Sequence, residues 1–149
     1  MSATPPPQAA VREELARAFS ELRPHMLAFA RRDAELDPQR RADDISDDDI
    51  EQFFNAYEAL FRESLEGSGR DKRDLILETA LPPVMDLGST ALDLVRGNVV
   101  SAVLLTHRLL PRVSEGHRDA AARWLAVFFS DYSREVAERA LALERERQA

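Results

Sequence analysis

The chain has 149 residues, 44% of them hydrophobic and 32% charged, the size and balance of one globular domain with a core of its own. A formal net charge of -7 leaves no basic surplus for nucleic acid or an anionic membrane, and a chain without cysteine excludes disulfides and thiolate metal sites. The opening MSATPPPQAA has neither the basic stretch nor the apolar core of a secretory signal, and the longest apolar run, Val99 to Leu105, falls far short of the ~20 residues that span a bilayer; a cytoplasmic protein is expected, with no nucleic acid and no membrane among its partners.

Residues 1–8 carry Pro5, Pro6 and Pro7 and read as a flexible lead. Val11, Leu15, Ala18, Phe19 and Leu22 then recur at the helical period. Pro24 predicts either a bend or a second helix carrying Met26, Leu27, Phe29 and Ala30, and the polar stretch from Arg31 to Asp44 reads as a loop. Ser46 is placed to cap the next helix, with Asp47, Asp48 and Asp49 in its first turn, where the helix dipole favours negative charge. Ile50, Phe53, Phe54, Tyr57, Leu60, Phe61 and Leu65 form its stripe, and Gly67 stands where a left-handed C-terminal cap is wanted. Leu75, Ile76, Leu77 and Ala80 begin a short helix that Pro82 and Pro83 are expected to interrupt, with a further turn closed by Gly88. Ser89 or Thr90 can cap a helix whose stripe of Leu92, Val95, Val99, Val103 and Leu110 is expected in the core; Gly97 within it implies close helix packing.

The last helix is expected to start near Ser114, packing Ala121, Trp124, Leu125, Phe128, Tyr132 and Val136 on the core. Run to Arg147 it would measure about 50 Å, well beyond a small domain, so residues 141–149 are expected to project as a helical linker from a domain spanning 9–140. Phe129, Tyr132, Val136, Ala140 and Leu143 step by three and four, the seam two parallel helices share, with Glu135 and Arg139 beside it. A homodimer along that seam is expected, the other reading being a frayed end. No stretch alternates with period two, so the fold class is all-α, with about six helices and a long last one.

Candidate chemistry is sparse. His25, His107 and His117 are scattered without metal-ligand spacing, and His107, bordering an apolar stripe, reads as a partly buried structural residue. The acidic run Asp43, Asp44, Asp47, Asp48, Asp49 and Glu51 lacks the glycine and distant glutamate of a calcium loop and reads as helix capping. Residues 67–69, GSG, follow a helix and form a turn, not a phosphate cradle. The aromatic stripes read as core, and no nucleophile stands with a base. No catalytic residue and no metal site is expected, and the chain is not read as an enzyme.

The passages LPPVMDLGSTALDLVRGNVVSAVL and WLAVFFSDYSREVAERALALERE, with the FF-x-x-Y turn at Phe128, Phe129 and Tyr132, resemble the N-terminal sensor domain of RsbR-type stressosome proteins. The likeness runs from about Val11 to Arg147 and lies in apolar pattern and element order. It implies a globin-like bundle, generally without haem, that dimerises ahead of a STAS domain and passes a stress signal to stressosome proteins. This chain ends at Ala149 without the threonines such a STAS domain offers for phosphorylation. The segment that would supply a proximal haem ligand, DLILETALPPVMDLG, has no histidine, so no cofactor is expected. Two alternatives stand: a haem- or small-ligand-binding globin sensor, for which His107 is the candidate, and a helical adaptor for a protein partner.

Overall fold

The computed structural model describes residues 6–36, 47–86 and 88–148. Five α-helices and two short 3-10 turns account for nearly all of them: α1 Ala9–Leu36, α2 Asp47–Leu65, α3 Arg70–Asp86, α4 Ala91–Leu109 and α5 Arg118–Gln148. Among the described residues there is no strand. The turns Leu110–Arg112 and Glu115–His117 link α4 to α5, so α5 starts four residues later than Ser114, and five helices stand where about six were expected.

Two prolines that should have broken α3 do not. Pro82 and Pro83 lie inside a single helix, and Pro24 lies inside α1, which continues through Arg31–Leu36 where the polar composition read as loop. A proline ring fits helical φ and costs mainly the hydrogen bond and the clash one turn back. In α3 the burial of Leu81 and Met85 on either side of the pair offsets that cost. In α1, Leu22 is buried and Met26 packs on the core, bracketing Pro24 in the same way. The position of Ser46 lies outside the described residues.

Helix ends follow the sequence more closely. Gly67, at φ 84°, donates to Ser64 O while Ser68 donates to Glu63 O, the paired bonds of a Schellman cap on α2. Gly88, at φ 103°, closes α3 in the same way. At the start of α4 the Thr90 hydroxyl accepts from Asp93 N, and the Asp93 carboxylate accepts from Thr90 N in return. The Thr90 backbone N–H, with its hydroxyl, holds the Asp93 carboxyl below the usual carboxylate range.

The core has an aromatic centre. Phe19 of α1 stacks on Phe61 of α2 at 4.6 Å between ring centroids, and Phe61 meets Trp124 and Phe128 of α5 edge-on at 5.4 and 5.6 Å. Tyr57 meets Tyr132 edge-on at 5.5 Å. Every described side chain classed as buried is apolar or aromatic. Burial pushes the Tyr132 hydroxyl up to about 12, and that of Tyr57 well above its ordinary value. Of the α2 stripe expected in this core, Tyr57, Leu60, Phe61 and Leu65 are buried, Phe54 is half-buried and Phe53 is exposed.

The last turns of α5 do not project. A second small cluster of Met85, Ala91 and Ala140, with Leu94 and Leu143 against it, joins the end of α3, the start of α4 and the end of α5. The Glu144 carboxylate accepts from Ala91 N at 2.6 Å, filling one of the orphan donors of α4, and Arg147 pairs with Asp86 at 2.7 Å. The expected linker is docked, because α3 and α4 meet at the level its final turns reach.

Gly97 corrects a further expectation. A Cβ placed there would meet nothing within 4 Å, so no neighbouring helix compensates for the glycine. Its φ is not positive, so alanine fits the same backbone and reduces the freedom of the unfolded chain. Gly97→Ala is expected to stabilise the protein by about 0.5–1 kcal/mol, read as a higher denaturation midpoint at unchanged slope.

Candidate functional site

Helix α4 has two apolar faces. Ala91 and Leu109 are buried, and Leu94, Ala102 and Leu105 pack on the core cluster, while Asn98 donates to the Ser133 hydroxyl of α5 at 3.2 Å. Those positions step by three and four and form the inward face. The opposite face carries Leu92, Val99, Val100, Val103 and Leu104, exposed by 57, 49, 56, 64 and 40%. The stripe expected in the core, Leu92, Val99 and Val103, is therefore the one facing water. Val95 and Leu110 are only half-buried. Helical spacing sets Leu92, Val95, Val99 and Val103 in one row and Val100 with Leu104 in the next, and the polar groups sharing that face are Asp93, Arg96 and His107. The five exposed side chains together present on the order of 400 Å² of apolar surface, the scale at which patches mark interaction sites.

His107 sits on this face and is exposed, not partly buried. His25 is exposed as well. His117 is engaged: its Nδ1 lies 2.6 Å from a Glu14 carboxylate oxygen, and Glu14 also accepts from the Ser114 backbone N–H and hydroxyl. Among the described residues no group of three His, Cys, Asp or Glu side chains is placed to hold a metal, and no helix is long and apolar enough to cross a membrane.

The Glu14 cluster ties α1 to the turn before α5, and it is pH-sensitive in a stated direction. The Ser114 hydroxyl, then His117, hold the Glu14 carboxyl below its ordinary range. The stabilisation is present above the unfolded carboxyl pKa and is lost as pH falls through the depressed folded value. Glu14→Gln is expected to flatten the acid limb of stability against pH while leaving the neutral and alkaline limbs parallel to wild type, as chemical denaturation from pH 2 to 8 would show.

The expected dimer seam on α5 is not an outer surface. Phe129, Tyr132, Val136 and Ala140 are buried within the protomer at 6% exposure or less, and Leu143 packs on the core. Their spacing is that of a helix facing its own domain. Glu135 and Arg139 serve an internal purpose too: Arg139 pairs with Asp74, Glu78 and Glu135, and Arg73 with Glu135, so the charges lock α3 to α5.

An open groove lies between α1 and α2, where Arg12 pairs with Glu66 at 3.7 Å and Arg17 with Glu21 at 3.8 Å. Comparison with known protein families, curated proteins and solved structures finds no match. The α4 face therefore stands on its own geometry. Sequence reasoning missed Val100 and Leu104, although VVSAVLL, apolar at nearly every position, signalled a helix with too many apolar residues for one face.

Proposed function

We propose that the chain is a non-catalytic helical signalling domain, globin-like and akin to the RsbR-type sensor domains it resembles, whose output is a protein contact made by the outward face of α4. The observation that carries this reading is that face: five large apolar side chains in adjacent rows on a helix held firmly from the other side. A monomer gains nothing from keeping such a patch in water. The cap that Glu144 places on Ala91 couples the end of α5 to the start of α4, so a shift in either helix changes how the face is presented. STAS-bearing stressosome proteins are the partners the resemblance implies.

The test is reconstitution with a stressosome STAS protein. Assembly is expected with wild type and lost with Val103→Glu, whose circular dichroism and melting midpoint should match wild type because the side chain is exposed. Added haem is expected to give no stoichiometric Soret band. A band that disappears in His107→Ala would replace this reading with a haem sensor.

A further inference from the structure

We infer that the α4 face takes an amphipathic helix of a partner protein whose first turn carries carboxylates, lying antiparallel to α4 with those carboxylates over His107 and Arg108. This rests on the reading that the face binds protein, and adds the chemistry and the direction of what it binds.

Shape selects a helix. The face is the outer side of a helix whose backbone N–H and C=O groups are spent along its own axis, so an added strand would find no ladder to join. It offers side chains in two rows, with Leu92, Val99 and Val103 on one side and Val100 and Leu104 on the other. From residue 92 to residue 104 the rows run about 18 Å, the length of roughly three to four helical turns. An apolar stripe on a partner helix of that length seats its ridge between the rows, over the stems of Arg96 and His107. The total area buried would be on the order of 1,000 Å², which suits a weak, reversible contact.

Charge sets the direction, because the two ends of the face differ. At its start Asp93 lies exposed on the face, its carboxylate accepting from Thr90 N, and Arg96 one turn on carries the opposite charge. At its far end stand His107 and Arg108, and Asp93 is the one acidic residue of α4. Neither His107 nor Arg108 has an ion-pair partner among the described residues. The carboxylates that α1 brings to the turns after α4 are engaged, Glu21 with Arg112 at 3.1 Å and Glu14 with His117 at 2.6 Å. Acidic side chains are favoured in the first turn of a helix, and antiparallel helices offset their dipoles. Antiparallel docking satisfies both, and keeps the partner's carboxylates away from Asp93. The chain's net charge of -7 acts against an acidic partner at long range, but beyond a Debye length of about 10 Å it is screened, and the groups at the contact decide.

The local and the overall charge therefore make opposite forecasts, which two synthetic helices separate. Both are about 16 residues long and share one leucine stripe; one has glutamates in its first turn and the other lysines. The glutamate peptide is expected to bind with a Kd of roughly tens of micromolar, about tenfold tighter than the lysine peptide at low salt, with the margin shrinking at high salt. Val103→Glu should abolish binding of both, and Arg108→Glu should invert their order. Because the chain has no cysteine, single introduced thiols report direction. A peptide cysteine at the end of the first turn is expected to cross-link Leu104→Cys and not Leu92→Cys, about 18 Å further along. Equal binding of the two peptides, an order unchanged in Arg108→Glu, cross-linking at residue 92, or uptake by anionic phospholipid vesicles with neither peptide bound overturns the inference. If neither peptide binds but a STAS protein assembles through Val103, only the acidic-helix assignment falls; if the glutamate peptide binds and no STAS protein does, the signalling assignment falls instead.

Discussion

Replacing Phe61 with alanine is expected to destabilise the protein by about 3–5 kcal/mol, a large part of the ~5–15 kcal/mol that holds a domain of this size. Phe61 is fully buried and touches an aromatic ring from each of α1 and α5: Phe19 stacked on one side, Trp124 and Phe128 edge-on at the other. Truncation leaves a cavity bounded by three rings that cannot close in without leaving their own neighbours. Two controls separate this from a general intolerance of α2. Phe53, 39% exposed, is expected to cost under about 1 kcal/mol on truncation, and half-buried Phe54 should fall between. Urea denaturation of the three variants gives the order directly, and equal midpoints for Phe61→Ala and Phe53→Ala would rule out this core.

Val136→Glu is the second large effect. Were α5 an outer seam, this substitution would yield a folded monomer. Val136 is 5% exposed and belongs to the main core cluster, so the new carboxylate would be buried, and an unpaired buried charge costs several kcal/mol or forces the group to stay protonated. Arg73 and Arg139 lie on the same α3–α5 interface but are taken by Glu135 and Asp74. The expected result is a protein largely unfolded at neutral pH, with lost helical signal and an expanded elution volume, and partial recovery of helicity as pH falls and the glutamate is neutralised. Leu143→Glu, at a half-buried position in the last turns, should be markedly milder. A compact, fully helical Val136→Glu would return α5 to the role of an exposed seam.

The two substitutions show where sequence reading succeeds. The aromatic stripes were legible as core at Tyr57, Phe61, Trp124, Phe128 and Tyr132, though not at exposed Phe53 or half-buried Phe54, because period 3.6 over several turns is a property of the residues themselves. Caps were legible for the same reason: Gly67 and Gly88 need the left-handed region, and Thr90 with Asp93 satisfies donors within three residues. Each of these preferences is settled by atoms close along the chain.

Three matters depended on distant parts of the chain and were decided only in the tertiary structure. Pro24, Pro82 and Pro83 are tolerated inside helices since Leu22, Leu81 and Met85 gain more from burial than the backbone loses. The end of α5 is docked, not free, because Ala91 N and Asp86 happen to lie within reach of Glu144 and Arg147. The choice between the two faces of α4 went against the row that looked more hydrophobic: Leu92, Val99 and Val103 face water, while Ala91, Leu94, Ala102 and Leu105 meet the core. The small residues on the inner row let α4 come close to α5, where Asn98 reaches Ser133, and close packing of two helices rewards small side chains over large ones. By itself, then, the sequence determined that this chain is helical, where its capped helices end and that Ala121, Trp124, Leu125, Phe128, Tyr132 and Val136 of α5 serve the core, while Phe129, Ala140 and Leu143, read as an outer seam, turned out to face their own domain as well. Which of two apolar rows is left bare depends on the shape of the neighbour, and that shape exists only once the other helices have packed.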